Sequence, residues 1–174
     1  MAFKLGDFNT EFVLLPEGIE LEFYVSDIET KTTSTGRQML VVNYTVRDDI
    51  KEQEEYAGQK IRFDNFVLHP NAMFRFTVLG KAVGFDNDKE YDSEEDFLEE
   101  FTNFIKYKPL RIKVKHEKRK NRDGEIVCDE KGQPIYNAVA GAYYITKHHD
   151  FIDPETKEEF KNLPIDISDD DLPL

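Results

Sequence analysis

Strict alternation of apolar and polar residues most constrains the fold of this chain. Aliphatic and basic side chains alternate through residues 110–118: Leu110, Arg111, Ile112, Lys113, Val114 and Lys115. Successive side chains of a β-strand point to opposite faces, so this pattern predicts a strand with one buried and one exposed face. Segments of this kind must pair into a sheet that buries their apolar sides.

Four further segments are predicted strands. Residues 19–30 and 59–69 show the same alternation, residues 38–47 are rich in β-branched and aromatic residues, and residues 135–145 form the last strand. Two helical patterns lie between the third and fourth strands. Residues 72–83 are apolar nearly all round, which predicts a buried helix. Ser93 with Asp96 forms a capping box before the second helix, which ends at Pro109.

This order of elements favours an all-β core, or a β-rich α+β chain overall. It is the layout of a five-stranded Greek-key OB barrel with a helical insertion between strands 3 and 4. A different small β-barrel or an α+β sandwich has the same element order and stays open as an alternative. The length of 174 residues fits one domain, residues 1–149, followed by a tail, residues 150–174.

Charge is segregated along the chain. The net charge is -13, yet residues 105–122 carry nine basic residues against Glu117 alone, a net of +8. Residues 150–174 carry a net of -7. A locally basic surface can hold a polyanion in spite of the overall sign. The alternative is that the basic strands are solvated edges that prevent aggregation.

The C-terminal tip is acidic with an apolar end: Asp169, Asp170, Asp171, Leu172, Pro173 and Leu174. Such a segment has too little apolar surface to offset the entropy of ordering, so the tail is expected to be disordered. An acidic arm with an apolar end suits capture by another protein, and these six residues are the predicted partner-binding residues. A tail that only aids solubility stays open.

Other classes of protein and site are less well supported. The chain has no apolar run long enough for a membrane span, no basic start followed by an apolar stretch, and one cysteine, Cys128. A cytoplasmic protein without membrane partner, cofactor or metal is therefore expected. The acidic loop 86–92 lacks the turn glycine of a calcium loop, since Tyr91 stands there. A magnesium-dependent nuclease is the strongest enzymatic alternative, but a non-enzymatic protein is predicted.

Basic strands and aromatic residues together favour binding of single-stranded DNA, which offers phosphates and unstacked bases. In an OB barrel the outer face of strands 2 and 3 binds such ligands, flanked here by loops 31–37 and 119–133. The predicted phosphate-binding residues are Lys31, Arg37, Arg62, Arg111, Lys113, Lys115, Lys118, Arg119, Lys120 and Arg122. The predicted base-stacking residues are Tyr24, Phe66 and Tyr143, whereas Tyr44 and Phe63 are predicted in the core.

Short motifs add a resemblance to a known family. They are Leu-Pro-Glu-Gly at residues 15–18, the first hairpin from Lys31 through Gly36-Arg37, and Tyr-Asn-Ala-Val at residues 136–139. With them the chain resembles phage-encoded single-stranded DNA-binding proteins. Its tip is similar to the tips of bacterial and phage single-stranded DNA-binding proteins, with Leu174 where those commonly have Phe.

The resemblance implies that the chain has an OB fold and acts in the host cytoplasm. It implies that the protein binds single-stranded DNA without sequence preference during phage DNA replication or recombination. It also implies that the tip recruits replication or recombination proteins. The alternative is an interaction adaptor of a phage replication or structural complex that does not bind DNA. A homo-oligomer stays possible on either hypothesis.

Overall fold

The computed structural model describes residues 14–162, which form a five-stranded antiparallel sheet with three α-helices. The strands are β1 (Glu20–Thr32), β2 (Gln38–Val46), β3 (Lys60–Val67), β4 (Pro109–Lys118) and β5 (Tyr136–Tyr144). The helices are α1 (Met73–Val83), α2 (Glu94–Ile105) and α3 (Pro154–Asn162). The β-rich α+β class and the helical insertion between the third and fourth strands are confirmed. None of the described helices is long and apolar enough to cross a lipid bilayer.

The strands are hydrogen-bonded in the order β3-β2-β1-β4-β5, so the sheet is open and β3 and β5 are its edges. The long strand β1 pairs with two neighbouring strands. Its first part, from Glu20 to Tyr24, pairs with β4, and the part from Phe23 to Thr32 pairs with β2. A strand shared in this way brings the two edges of the sheet towards each other.

The core lies between one face of the sheet and helices α1 and α2. Its largest fully buried apolar side chains include Phe23, Leu40, Tyr44, Ile61, Phe66, Leu79, Phe101, Ile105, Leu110 and Ile112. The core position predicted for Tyr44 is confirmed. Helix α1 is not buried all round, because Phe74 and Val78 are exposed on its outer side.

A bulge in β3 decides which side chains face the core. The pairing of β2 with β3 shifts register between Val42 and Tyr44, and Phe63 has a φ of 63°. The Phe63 amide donates to Asn43 Oδ1 at 2.9 Å. The bulge reverses the side-chain alternation. Phe63 is therefore 68% exposed and Phe66 is fully buried, so the core position predicted for Phe63 and the surface position predicted for Phe66 were both wrong.

Side chains join the two edge strands. The Tyr44 hydroxyl of β2 donates to Asp64 Oδ2 of β3 at 2.7 Å, and the Tyr143 hydroxyl of β5 donates to the same oxygen. Arg75 of α1 completes the group, with Nη2 at 2.7 Å from Asp64 Oδ1. One carboxylate thus connects β2, β3, β5 and α1 where the backbone ladder is open.

This cluster predicts a loss of stability in alkali. Burial, with the Asp64 carboxylate beside them, raises the pKa of Tyr44 and Tyr143 well above the usual value. In the unfolded chain both phenols ionise near pH 10. Their stabilising contribution is therefore complete below about pH 10 and falls as the pH rises further. In a tyrosinate absorbance titration, two of the eight tyrosines should ionise only as the far-ultraviolet circular dichroism is lost. Ionisation of all eight in the native fold would contradict this.

The segment after β5 packs on the outer face of β1. The ring of Phe151 stacks on Tyr24 with centroids 5.0 Å apart, and the Arg47 guanidinium lies 4.8 Å from the Phe151 centroid. Helix α3 follows. The disorder predicted from residue 150 is therefore wrong for residues 150–162. The predicted partner-binding residues, Asp169 to Leu174, lie outside the described residues.

A buried polar network anchors this segment. Arg47 is fully buried and donates to Asp49 Oδ1 at 2.9 Å and to the His148 carbonyl at 2.6 Å. Glu22 Oε2 accepts from the Thr146 hydroxyl at 2.8 Å. Buried charges are tolerated only when they are paired in this way. This network therefore holds the segment that follows β5 against the sheet.

Candidate nucleic-acid interface

A cleft opens on the outer side between β3 and β5. It has a volume of about 350 Å³. Its lining includes Arg62, Phe63, Asn65, Arg75, Glu117 and Val139. We call this the seam cleft. It exists because the two edge strands are not hydrogen-bonded to each other and meet through side chains such as the Asp64 group, which leaves a groove between them.

Phe63 is the most unusual residue of the seam cleft. A bulky residue at positive φ is a genuine outlier and costs roughly 1–2 kcal/mol. Its ring is nevertheless 68% exposed and so regains little of that cost by burial. The Asn43 side chain holds the bulge in place. Strain retained without a packing benefit is typical of functional sites.

Cationic side chains of β3 and β4 lie in and near the cleft, whose lining also includes the acids Asp64 and Glu117. Arg62 is exposed and makes no ion pair with the described residues. Lys115 is the cross-strand neighbour of Val139, and Lys113 that of Ala142. Both lysines are exposed and form no ion pair within residues 14–162. The alternation predicted for β4 thus presents two free cations beside the cleft wall.

Gly141 lets β5 lie against these lysines. A Cβ atom at this position would be 2.9 Å from Lys115 Cβ and 3.1 Å from the Lys113 carbonyl oxygen. The register of β4 with β5 shifts at the same place, between Lys113 and Val114. A side chain here would force the two strands apart, so the glycine keeps the lysine row next to the seam cleft.

The predicted loop after β4 is an ordered arm, residues 119–135. Two turns shape the arm, and in each of them an Asn or Asp side chain accepts hydrogen bonds from the amides that follow it. Asn121 Oδ1 accepts from the amides of Asp123 and Glu125 at 3.0 and 2.9 Å. Asp129 Oδ1 accepts from the amides two and four residues later, both at 2.9 Å. The sequence signal for these turns is a short repeat. Asn121 or Asp129 is followed three residues later by a glycine and then by Glu125 or Gln133.

One side of the arm combines cations with apolar groups. Lys118 pairs with Tyr136 and Lys120 with Ile126, and directly opposite residues share a face. Tyr136 and Ile126 are both exposed. Arg122 is exposed in the first turn. The predicted cations Lys118, Lys120 and Arg122 are therefore presented to solvent, two of them beside an apolar neighbour.

Other predicted cations are less available. Arg111 Nη2 lies 3.1 Å from Glu20 Oε2, and Nη1 lies 3.8 Å from Glu22 Oε1, so two carboxylates neutralise it. This corrects its assignment to a free phosphate ladder. Arg119 Nε donates to Asn137 Oδ1 at 2.9 Å.

Lys31 and Arg37 lie near the β1–β2 turn, outside the lining of the seam cleft. Lys31 Nζ is 3.7 Å from Glu29 Oε2. Arg37 Nη1 donates to the Leu68 carbonyl oxygen at 3.5 Å. The structure therefore does not group this loop with the cations of β4 and the arm.

The three predicted stacking residues are occupied by internal contacts. Phe151 covers Tyr24, whose pKa is raised by burial. Phe66 is buried under Arg75, with the guanidinium 4.5 Å from its centroid. The Tyr143 hydroxyl bonds to Asp64. The exposed aromatic rings of β3 and β5 that sequence reasoning missed are Phe63, Tyr136 and Tyr144.

The arrangement offers cations and exposed aromatic rings rather than a metal-binding constellation. No group of three or more His, Cys, Asp or Glu side chains in residues 14–162 is placed to hold a metal ion. A surface of this kind can hold phosphates by charge and unstacked rings by stacking.

Comparison with known proteins places the chain in a family. The family model described as "Protein of unknown function (DUF669)" matches residues 2–149. No curated protein matches the chain. The family match covers the sheet, the helical insertion and the arm. The chain therefore belongs to the DUF669 family.

Proposed function

We propose that the protein binds single-stranded DNA without sequence preference, along the outer side of β3, β5 and β4. The observation that carries the proposal is Phe63, an exposed aromatic ring held at positive φ in the seam cleft. Arg62 lies next to it in the cleft and Lys115 is across β5 from it. Sequence-tolerant binding of single strands needs this combination of stacking platform and cations.

The strand order supports an OB-type fold as part of this proposal. The order β3-β2-β1-β4-β5 is that of an OB barrel opened between β3 and β5, and the insertion between β3 and β4 lies where OB folds place a helix. On this view the Asp64 group closes the barrel. The seam cleft then lies at the edge of the face that OB folds use for oligonucleotides.

The mechanism is reversible coating without turnover. Phosphates contact Lys113, Lys115, Lys118 and Lys120, and bases stack on Phe63, Tyr136 or Tyr144. In this proposal the protein protects single strands in phage DNA replication or recombination in the host cytoplasm. The tip, residues 169–174, recruits replication proteins.

A fluorescence anisotropy titration with a labelled oligothymidine tests the proposal. Affinity should fall as salt rises, with a slope in log–log form of about -0.7 for each phosphate neutralised, hence about -3 for the four lysines. A duplex of equal length is the control and should bind more weakly, because its bases are stacked away. No binding at low salt would contradict the proposal and favour the adaptor function, for which the exposed Phe74 and Val78 offer a protein-binding surface.

A further inference from the structure

A second cavity lies in the helical insertion, between α1, α2 and the loop of residues 84–93. Its volume is about 550 Å³. The apolar side chains lining it include Met73, Phe76, Phe85, Phe97 and Phe101. We call it the phenylalanine pocket. Met73, Phe85 and Phe97 are only partly buried, so the aromatic floor is open to a ligand.

The rings of the floor hold each other in place. Phe85 meets Phe101 edge-on with centroids 5.0 Å apart, and Phe76 meets Phe97 at 5.4 Å. Edge-to-face packing of this kind fixes ring orientation. Fixed ring faces accept an apolar side chain or the flat guanidinium of an arginine.

The rim of the phenylalanine pocket is acidic. Asp86, Asp92 and Glu94 line it and make no ion pair with the described residues. Residues 86–100 contain nine acidic residues and one basic residue, Lys89. Glu100 neutralises that lysine, with both carboxylate oxygens within 2.9 Å of Nζ. The rim therefore carries uncompensated negative charge.

The loop that forms one wall is fixed in position. Asn87 Nδ2 donates to the Thr77 carbonyl oxygen of α1 at 3.2 Å. This approach needs Gly80, because a Cβ atom there would lie 2.5 Å from Asn87 Oδ1. On the other side Ser93 caps α2, accepting from the Asp96 amide at 3.1 Å. The pocket is thus preformed between two anchored walls.

The phenylalanine pocket is distinct from the seam cleft. Its mouth includes Leu68 and His69, which follow β3, and no residue lines both cavities. Its negative rim repels DNA and anionic lipid surfaces. The occupant must therefore be a positively charged or neutral group with an apolar part.

We propose that the phenylalanine pocket docks a basic segment of a partner protein. One aromatic or long apolar side chain of that segment packs on the accessible floor formed by Met73, Phe85 and Phe97. Flanking lysine or arginine residues pair with Asp86, Asp92 and Glu94. Charge complementarity at the rim selects the segment, and burial of the central side chain supplies most of the affinity.

The test uses the peptide acetyl-Lys-Arg-Trp-Arg-Lys-amide and the full chain. The chain has no tryptophan, so the indole emission reports the peptide alone. Saturable binding with a blue shift of the emission is expected, weakening as salt rises. The triple variant Asp86→Asn, Asp92→Asn, Glu94→Gln should bind about tenfold more weakly, the effect of losing three partly exposed ion pairs. The Asp86→Asn change keeps a side-chain oxygen that can accept from the Asp88 amide, which donates to Asp86 Oδ1 at 3.1 Å in the natural chain.

The matched control is the triple variant Asp88→Asn, Glu90→Gln, Glu95→Gln. It removes the same charge from exposed positions that do not line the pocket. It should bind within about twofold of the natural chain. Equal weakening in both triple variants would overturn the proposal, because only overall charge would then matter.

A competitor checks that the pocket, and not the rim alone, is used. The peptide acetyl-Lys-Arg-Ala-Arg-Lys-amide keeps the charge and lacks the indole. It should compete at least tenfold less well than the tryptophan peptide, and equal competition would overturn the proposal. The result is independent of the oligothymidine titration, since the inference does not rest on DNA binding.

Discussion

Replacing Asp64 by alanine is expected to lower the free energy of unfolding by about 2–4 kcal/mol, because two phenol hydroxyls lose their acceptor and Arg75 loses its carboxylate partner. The Asp64 side chain is only 10% exposed and accepts from three side chains on three different elements. The substitution leaves two phenol hydroxyls without their acceptor. It also removes the carboxylate partner of Arg75, which still donates to the Asn65 carbonyl oxygen and to the Tyr143 hydroxyl. Such unpaired groups cost more than the lost bonds themselves.

Urea denaturation followed by circular dichroism measures this loss. Tyr143→Phe is the graded comparison, since it removes one donor and leaves Asp64 paired with Tyr44 and Arg75; a loss of about 1 kcal/mol is expected. Asp88→Ala is the matched control, an acid removed from an exposed loop, with an effect within about 0.5 kcal/mol. A loss below about 1 kcal/mol for Asp64→Ala would show that the seam does not depend on this carboxylate.

The elements themselves could be predicted because their signals are local. The predicted strand at residues 38–47 is β2, Gln38–Val46, and the predicted helix at residues 72–83 is α1, Met73–Val83. Alternation and helical periodicity arise within a few neighbouring residues, and so do caps such as Ser93. The sequence therefore predicts the element order that underlies the OB hypothesis.

The faces of β3 could not be predicted because they depend on a bulge. Ile61 and Phe66 are both buried although five positions separate them, which an unbroken strand does not allow. That odd spacing was the only signal in the sequence. When the bulge is ignored, a period of two places Phe63 in the core and Phe66 on the surface, the reverse of their positions in the structure.

Pairing of distant segments was also beyond local reasoning. Arg111 is neutralised because the β1–β4 register sets it opposite Glu22. Tyr24 is covered because Phe151, more than a hundred residues later, docks on it. Neither contact leaves a periodic trace in the sequence. Charge counts predict that a basic surface exists, whereas tertiary contacts decide which cations remain free.

Replacing Phe63 by glycine separates binding from stability. At a φ of 63° glycine avoids the strain of a side chain, which stabilises the folded state by roughly 1–2 kcal/mol. The greater flexibility of glycine in the unfolded chain opposes this by roughly 0.5–1 kcal/mol. The exposed ring contributes little burial. The free energy of unfolding should therefore stay the same or rise by up to about 1 kcal/mol.

Affinity for oligothymidine should move the other way in the same variant. Loss of one stacking platform costs about 1–3 kcal/mol, or about 5- to 150-fold in Kd. Phe74→Ala is the matched control, since Phe74 is 65% exposed but lies on α1, away from the lining of the seam cleft. It should bind like the natural chain. If Phe63→Gly binds within twofold of the natural chain, or if Phe74→Ala weakens binding equally, Phe63 is not the platform and its strained backbone needs another explanation.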